Sequence, residues 1–299
     1  MICWVEPSPG HEAMGEPPAG WSIAPFPDDP VASPDRDEVE FVVPDWQIAR
    51  ELHALPALKV VQTRSAGVEW IVGRVPDGVT LCSARGARDA AMAEWVAWAL
   101  LADAKAARTA AEQQVARVWE HLDLRDVEGA RVLILGHGSI GAAVERRLAA
   151  FDARIVRVAR RARDGVHAVD ELPCLLPSAD VVVNLLPATE ETRGLVGAEA
   201  LAAMPRGGLL VNAGRGSTVD TDALLRALHA GHVRAVLDVT EPEPLPADHP
   251  LWSAPGLIVT PHSAGDTPGA ERKAWALAGD QLRRHAAGEP LRNVVSGGY

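Results

Sequence analysis

The feature that most constrains this chain is an apolar run that ends in three regularly spaced glycines. The run 132–135 (Val-Leu-Ile-Leu) leads into 136–141 (Gly-His-Gly-Ser-Ile-Gly), and an amphipathic stretch over 142–151 follows. This order is typical of a buried strand that turns sharply into a helix. The first glycine permits the turn, the second lets a pyrophosphate approach the backbone, and the third lets helix and strand pack closely. The sequence therefore predicts a dinucleotide-binding βαβ unit with cofactor contacts from Gly136, Gly138, Ser139, Ile140 and Gly141.

The residues after the second strand of this unit indicate which dinucleotide is preferred. Ala159, which follows the strand candidate 153–158, lies 18 residues after Gly141 (159 − 141 = 18) and is followed by Arg160 and Arg161. An NAD-binding unit usually carries Asp or Glu at about this distance, where it holds the ribose 2′-hydroxyl. A carboxylate would repel a 2′-phosphate, whereas guanidinium groups bind it through charge-assisted hydrogen bonds. We therefore expect Arg160 and Arg161 to favour NADP(H), with NAD(H) also able to bind; the alternative is a solvated basic loop.

Charge and composition exclude several classes of partner. The formal net charge is −11, which disfavours nucleic acid and anionic membranes as partners because both need a basic surface. An anionic cofactor is still compatible, since the local field is set by arginines 157, 160, 161 and 163. His137, inside the glycine loop, is expected to point to solvent.

The cysteines and the apolar stretches indicate the compartment. Cys3, Cys82 and Cys174 lie far apart in sequence, so we expect neither a disulfide framework nor a metal site, and we expect each to be buried as a small apolar residue. We recognise neither a signal peptide nor an apolar stretch long enough to span a bilayer. These patterns predict a cytoplasmic protein.

Strand and helix patterns alternate along the chain, which predicts parallel sheets covered by helices. The strand candidates are 2–5, 21–24, 39–43, 58–63, 79–82, 131–135, 154–158, 180–185, 208–212, 234–238 and 257–260. Asp45 is placed to cap a helix over 46–55. A long helix over 90–117 is expected to bury Ala91, Trp95, Trp98 and Leu101 on one face, and a final helix over 268–285 is expected to return to the first domain.

Three residues at the carboxyl ends of predicted strands have the chemistry needed to reduce a ketone. Arg215 follows the strand 208–212, Glu243 follows 234–238, and His262 follows 257–260. Hydride transfer to a carbonyl needs a proton donor for the developing alkoxide and a cation beside the carbonyl or a neighbouring carboxylate. A carboxylate near the histidine favours the protonated imidazolium, which donates that proton. From the residues alone, Glu241 competes with Glu243, His262 could be a hydrogen-bonded structural histidine, and Arg215 could be a surface charge.

In combination these motifs resemble the D-isomer-specific 2-hydroxyacid dehydrogenase family. The motifs are the glycine loop, Asn-Ala-Gly-Arg-Gly at 212–216, Leu-Asp-Val at 237–239 with Glu-Pro-Leu at 243–245, and Thr-Pro-His at 260–262. The resemblance implies an α/β protein with two doubly wound parallel-sheet domains. A Rossmann dinucleotide-binding domain (98–265) would be inserted in a smaller flavodoxin-like substrate domain (1–97 and 266–299). The segment 6–36 is proline-rich where relatives usually have a regular helix.

The resemblance also assigns roles to individual residues. Arg215 would bind the carboxylate and carbonyl of the substrate, and Glu243 would hold His262, which gives the proton while NADPH gives the hydride. The substrate carboxylate would also contact the segment Ser65, Ala66 and Gly67. Further cofactor contacts would come from Leu186, Pro187, Thr192, Ala213, Gly214, Asp238 and Ala264.

The function expected on these grounds is NADPH-dependent reduction of a small 2-oxoacid, such as glyoxylate or hydroxypyruvate, to the D-2-hydroxy acid by a homodimer. One alternative is a catalytically silent, dinucleotide-sensing protein similar to a corepressor, because a fold does not fix a function. Another is a relative of phosphoglycerate or phosphonate dehydrogenases. A phosphorylated substrate should need extra basic residues near the carboxylate-binding segment, and Arg64, Arg85 and Arg88 are candidates.

Overall fold

Two parallel β-sheets, one in each of two units, organise residues 1–296, which a computed structural model of the protein describes. The first unit comprises Met1–Arg88 and the residues from Asp266 onward, and the second is Asp89–Gly265. The division thus falls before the first α-helix, whereas the boundary expected after residue 97 lies within that helix. Residues 297–299 of the predicted substrate domain lie outside the described residues.

Helices and strands follow one another in the alternation that the sequence predicts. The α-helices are α1 (Asp89–Ala104), α2 (Ala107–Ala116), α3 (Ser139–Leu148), α4 (Leu172–Leu175), α5 (Ala198–Ala203), α6 (Thr221–His229) and α7 (Pro268–Ala286). The strands are β1 (Ile2–Val5), β2 (Ser22–Pro25), β3 (Val39–Val43), β4 (Val60–Gln62), β5 (Thr80–Cys82), β6 (Arg131–Leu135), β7 (Arg154–Ala159), β8 (His167–Ala168), β9 (Val181–Asn184), β10 (Gly208–Asn212), β11 (Val233–Leu237) and β12 (Leu257–Val259). Of the helices in the described part of the chain, none combines the length and the apolarity needed to cross a membrane.

The first unit has the strand order β2-β1-β3-β4-β5, and its strand pairs are parallel. This is the flavodoxin-like order. Alternate residues of β3 enter two different cores: Val42 packs with Ile48 and Leu52, whereas Phe41 packs with Trp275 of α7. Both faces of the sheet are therefore covered.

The second unit has the order β12-β11-β10-β9-β6-β7-β8, again with parallel pairs. Counted from β6, this is the Rossmann order 3-2-1-4-5-6 with a seventh strand at the edge. Leu133 faces a core completed by α4, α5 and α6, whereas Ile134 faces a core completed by α1 and α3. The fold class predicted from the sequence, two doubly wound parallel-sheet domains, is thus confirmed.

The single long helix predicted over 90–117 is wrong, because the chain forms two helices there. Ala106 adopts a left-handed backbone conformation with φ of 50°, which interrupts the right-handed path between α1 and α2. The expected apolar face of α1 is also wrong in part, since Trp98 is 44% exposed. The buried face carries Ala93, Val96 and Ala99 instead, because α1 packs closely beside α3 and small side chains permit that approach.

Two other expectations need correction. The segment 46–55 forms two short 3₁₀ turns, Ile48–Arg50 and Leu52–Ala54, rather than an α-helix, although Asp45 does accept hydrogen bonds from two following N–H groups at 2.8 Å. Cys174 is exposed, unlike the buried Cys3 and Cys82, because the short helix α4 turns it outward.

Candidate active site

The glycine loop after β6 has the geometry that its sequence predicts. Gly136 has φ of +103°, and a Cβ there would lie 2.9 Å from the carbonyl oxygen of Leu185. A Cβ at Gly141 would lie 2.8 Å from the carbonyl oxygen of Gly136. A Cβ at Gly138, which is the N-cap of α3, would meet no atom within 4 Å. The first and third glycines thus permit close packing, while the second leaves open space in front of a helix N-terminus, which attracts anions.

The side chain of His137 turns inward, so the expectation that it points to solvent is wrong. It is 12% exposed, and its Nε2 lies 2.8 Å from Oε2 of Glu145 on α3. Arg157 of β7 donates to the same oxygen from its Nε at 2.8 Å and pairs with Oε1 through a second nitrogen. Hydrogen bonds from Arg157, the largest influence, and from His137 lower the pKa of Glu145 from 4.5 to about 2. Because Arg157 is paired with Glu145, this arginine is not part of the exposed basic group at the end of β7.

Arg160 and Arg161 follow the last residue of β7 and are both exposed. The charge of Arg160 contributes, after the larger effect of the hydrogen bond from Thr189, to a lowered pKa of Glu191. Glu191 lies in the loop after β9, and β6 lies between β9 and β7 in the sheet. The positive charge of Arg160 thus acts on a group on the far side of β6. Arg163 donates to the carbonyl oxygen of His137 at 2.6 Å and ties this basic loop to the glycine loop.

The loops after β9 and β10 lie against each other at the same edge of the sheet. A Cβ at Gly214 would lie 2.6 Å from the carbonyl oxygen of Leu186, so this contact needs a glycine. Thr192 donates from its hydroxyl to the carbonyl oxygen of Pro187 at 2.6 Å and closes the turn between them. Leu186 and Ala213 are buried. The predicted cofactor-lining residues thus lie on loops whose backbones are in direct contact.

A buried amide network, which the sequence reasoning missed, fixes the loop that carries Arg215. Asn184 donates from Nδ2 to Oδ1 of Asn212 at 3.1 Å and to the hydroxyl of Thr218 at 2.6 Å. Asn212 and Thr218 both donate to the carbonyl oxygen of Arg215, at 3.2 and 2.6 Å. All three side chains are at most 1% exposed. The signal in the sequence was an asparagine directly after each of two apolar runs, 181–183 and 209–211.

Arg215 is half-buried and precedes a short 3₁₀ turn, Gly216–Thr218. Its Nη1 donates to the carbonyl oxygen of Gly214 at 2.8 Å. A Cβ at Gly216 would lie 1.9 Å from the carbonyl oxygen of Thr240, so the Arg215 loop touches the loop after β11. Strands β10, β11 and β12 end in register, which brings the three candidate catalytic residues onto neighbouring loops.

His262 pairs with Glu243 rather than with Glu241. Its Nδ1 lies 2.6 Å from Oε1 of Glu243, and the two side chains are 49% and 41% exposed. Glu241, by contrast, contacts Thr221 through its main-chain carbonyl oxygen. A carboxylate on Nδ1 fixes the tautomer and orientation of the ring and directs Nε2 away from the pair. The arrangement is therefore suited to moving a proton at Nε2.

Asp238 holds the loop on which His262 lies. Its carboxylate accepts hydrogen bonds from the hydroxyl of Thr260 at 2.6 Å and from the N–H groups of Ser263 and Ala264 at 2.9 Å. Its carbonyl oxygen accepts the N–H of His262 at 2.7 Å, and His262 takes a left-handed φ of 52°. Asp238 is 3% exposed, so its negative charge is compensated by these donors. The sequence suggested only a cofactor contact for Asp238, because partners in a distant loop leave no local pattern.

The segment predicted to bind a substrate carboxylate belongs to the first unit. Ser65 donates from its hydroxyl to the carbonyl oxygen of Gly67 at 2.6 Å and accepts from the indole N–H of Trp70 at 3.2 Å. The carbonyl oxygen of Ser65 accepts the N–H of Ala84 at 2.8 Å. The Ser65 hydroxyl is thus used to hold the turned conformation of the segment that includes Ala66.

Comparison with known proteins identifies relatives along the whole chain. The family model of the NAD binding domain of D-isomer specific 2-hydroxyacid dehydrogenases matches residues 97–264. D-3-phosphoglycerate dehydrogenase of Mycobacterium bovis is 33% identical over 289 residues, which are 90% of this chain and 54% of the relative. The chain thus spans about half the length of such curated relatives.

Solved structures give the same result. A D-isomer specific 2-hydroxyacid dehydrogenase from Xanthobacter autotrophicus Py2, in complex with NADPH and MES, is 32% identical, with a TM-score of 0.83 over 99% of this chain and 97% of that one. An NADPH-dependent glyoxylate/hydroxypyruvate reductase from Sinorhizobium meliloti, in complex with NADP and sulfate, is 27% identical, with a TM-score of 0.86 over 99% of this chain and 98% of that one.

Proposed function

Because this chain belongs to the D-isomer specific 2-hydroxyacid dehydrogenase family, whose members are NAD(P)-dependent oxidoreductases, we propose that it reduces a small 2-oxoacid to the D-2-hydroxy acid with NADPH. The observation that carries the proposal is the His262–Glu243 pair on a loop fixed by Asp238. Arg215 lies on a neighbouring loop at the same sheet edge.

The proposed chemistry divides between the coenzyme and three side chains. When bound, the reduced nicotinamide supplies a hydride to the carbonyl carbon of the substrate. Arg215 binds the substrate through its carboxylate and carbonyl oxygens and stabilises the negative charge that develops on the carbonyl oxygen. His262 donates a proton from Nε2 to that oxygen, and Glu243 holds the ring through Nδ1 and stabilises its protonated form. In the reverse direction, His262 accepts the proton from the hydroxy acid.

The glycine loop supports the coenzyme part of the proposal. The N-terminus of α3 is suited to a pyrophosphate, because Gly138 has no side chain and leaves open the space that a side chain would occupy there. Preference for NADP(H) is proposed from Arg160 and Arg161, which are exposed at the end of β7, and from Ala159, which places no carboxylate against a 2′-phosphate.

The cofactor preference is tested with Arg160→Ala and a matched control, Arg154→Ala, at the opposite end of the same strand. Loss of one charge-assisted hydrogen bond should weaken NADPH binding by about 10- to 100-fold. Binding of NADH, which lacks the 2′-phosphate, should change little, and Arg154→Ala should change neither. Dissociation constants are measured by fluorescence titration of each coenzyme. Equal losses for NADPH and NADH in Arg160→Ala would remove the argument for a 2′-phosphate site.

Two substrate classes are favoured by relatives. Glyoxylate and hydroxypyruvate are proposed first, because the structural relative from Sinorhizobium meliloti acts on them with NADPH. A phosphorylated 2-oxoacid is the second candidate, because phosphoglycerate dehydrogenases share 33% identity with this chain. The Ser65–Gly67 segment is proposed to hold the carboxylate common to both classes.

Activity is tested by following NADPH absorbance with a panel of 2-oxoacids. We expect turnover by the wild-type protein and its loss in His262→Ala, because the proton donor is removed, while His229→Ala on the exposed end of α6 keeps it. Glu243→Gln should lower kcat more than it raises KM, because the glutamine does not stabilise a protonated ring. Tight NADPH binding without turnover of any 2-oxoacid would contradict the proposal and favour a sensor.

A homodimer is proposed from exposed apolar side chains of the second unit. Trp119 is fully exposed, Val115 is 86% exposed and Val118 is 43% exposed, and the three lie within five consecutive residues of the chain. Large exposed apolar side chains grouped near one another mark interaction surfaces more often than isolated ones do. Sedimentation equilibrium should give twice the chain mass of 31.7 kDa, and Trp119→Asp should shift it toward the monomer. The cytoplasmic location stays a prediction.

A further inference from the structure

Arg64 immediately precedes the Ser65–Gly67 segment, and its guanidinium group forms ion pairs with two carboxylates. One nitrogen pairs with Glu6, just after β1, and the other pairs with Glu271 in the first turn of α7. The guanidinium carbon also lies 4.9 Å from the ring centroid of Trp275. The side chain of Arg64 is only 19% exposed. Both terminal nitrogens of Arg64 are therefore paired with carboxylates of the first unit, while its buried Nε has no hydrogen-bond partner among the described residues.

Arg88 is held in the same way. It donates from Nη2 to Oε2 of Glu271 at 3.0 Å and from Nη1 to Oδ1 of Asp266 at 2.7 Å. Its Nε donates to the carbonyl oxygen of Arg64 at 3.4 Å, so it also touches the backbone at the start of the Ser65–Gly67 segment. Glu271 thus bridges the two arginines with its two oxygens. Arg85, the third arginine near this segment in the sequence, is exposed.

The charges in this cluster do not suit a second anionic group. Two guanidinium groups face three carboxylates, Glu6, Asp266 and Glu271, which gives a balance of −1 (2 − 3 = −1). Had the arginines been unpaired, they would form a good phosphate site, because bidentate arginines bind phosphate strongly. With the carboxylates in place, a phosphate close to Arg64 and Arg88 would lose water, would meet terminal nitrogens that are already paired with carboxylates, and would be repelled by the net charge.

We infer that Glu6 and Glu271 set the substrate class by neutralising Arg64 and Arg88, so that the protein accepts unphosphorylated 2-oxoacids and rejects those that carry a phosphate. This inference rests on the proposed 2-oxoacid reductase activity and deepens it. Glu6 and Glu271 act through the arginines and are specificity-determining residues, not catalytic ones.

The test compares hydroxypyruvate with 3-phosphohydroxypyruvate, two substrates that differ only by the phosphate. The wild-type protein should have the higher kcat/KM for hydroxypyruvate. In Glu271→Gln both arginines lose one charged partner, so the ratio of kcat/KM for the phosphorylated to the unphosphorylated substrate should rise by about 10-fold or more. Glu6→Gln, which removes one charged partner from Arg64 and none from Arg88, should move the ratio in the same direction by less. It also provides a second variant if Glu271→Gln folds poorly.

The matched control is Asp280→Asn, which makes the same charge change on the same helix, outside the cluster. Asp280 pairs with Arg284 at 2.9 Å. Its substitution should leave the substrate ratio unchanged. The inference is overturned if the wild-type protein turns over the phosphorylated substrate as well as hydroxypyruvate, or if both glutamate variants keep the wild-type ratio while still reducing hydroxypyruvate. A failure of the proposed function gives a different result, because the wild-type protein then turns over no 2-oxoacid at all. In that case the inference is also wrong.

Discussion

Glu145 joins the glycine loop to β7, and its replacement tests whether that link stabilises the second unit. In Glu145→Gln, the charged partner of Arg157 and His137 is replaced by a neutral amide of nearly the same shape. The volume change is minimal, so the effect reports the electrostatic part of the contact. The hydrogen bonds from Arg157 and His137 lower the pKa of Glu145 from 4.5 to about 2.

The magnitude follows from this lowered pKa. A fall from 4.5 to about 2, at about 1.36 kcal/mol for each pH unit, corresponds to about 3.4 kcal/mol as an upper bound at pH 7. The side chains of Glu145 and Arg157 are 22% and 37% exposed, so water screens the pair. We therefore expect a loss of about 1–2 kcal/mol in the free energy of unfolding.

The sign of the pH dependence is fixed by the direction of the pKa. Because the folded-state pKa lies below the unfolded value, the stabilisation is complete above the unfolded pKa and is lost as the pH falls through 4.5 toward 2. The difference between wild-type protein and variant should be constant from pH 7 to about 5.5 and should fall to about 40% of that value at pH 3.

Differential scanning calorimetry measures the effect as a melting temperature. For a unit of this size each 1 kcal/mol corresponds to about 2–4 °C, so Glu145→Gln should melt about 2–8 °C lower at pH 7. The matched control is Glu112→Gln, which removes an exposed carboxylate paired with Arg108 at 2.8 Å and should cost at most about 0.5 kcal/mol. A difference from wild type that is the same at pH 3 as at pH 7, or no larger than that of Glu112→Gln, would refute the reasoning.

Two further predictions concern packing and thiol chemistry. Gly279→Ala on α7 should destabilise the first unit by about 1–3 kcal/mol, because its Cβ would lie 2.0 Å from the carbonyl oxygen of Met14. Gly269→Ala in the same helix should be neutral or stabilising in the same urea titration, since its nearest contact is 3.9 Å, and equal effects of the two would contradict this account. An aromatic disulfide reagent at pH 7.5 should label Cys174 rapidly, whereas the buried thiols, including Cys82 with a pKa raised by burial to about 11, should react only after denaturation. Rapid labelling of all three cysteines would show that the burial described for two of them is wrong.

Local patterns in the sequence predicted the strands well because a parallel strand that is buried on both faces consists of consecutive apolar residues. The run 208–212 became β10 with the predicted limits, and the run 131–135 became β6. The helix prediction over 90–117 failed because its break depends on the backbone of one alanine, Ala106, which carries no sequence signal for a left-handed turn. The two-residue strand β8 is too short to give a periodic pattern.

The pairing of side chains was predicted less well than the limits of the strands, as Glu241, Glu243 and Glu145 show. Glu241 and Glu243 are equivalent as sequence, and only the folded loop brings Glu243 to His262. Arg157 was counted with the basic loop, but its partner, Glu145, lies 12 residues earlier on a helix that packs against its strand. A residue type states what a side chain is able to bind, whereas the fold decides which partner is within reach.

The sequence by itself determined the alternation of strands and helices, the glycine turn after β6, and the order in which Arg215, Glu243 and His262 follow successive strands. These properties are local, since each depends on residues adjacent in the chain. The tertiary structure decided three sets of contacts. These are the hydrogen bonds to Asp238 that fix the His262 loop, the amide network that fixes the Arg215 loop, and the carboxylates that pair with Arg64 and Arg88. These contacts join segments far apart in sequence, and their hydrogen bonds and charges exist only where the fold has brought the partners within about 3 Å of each other.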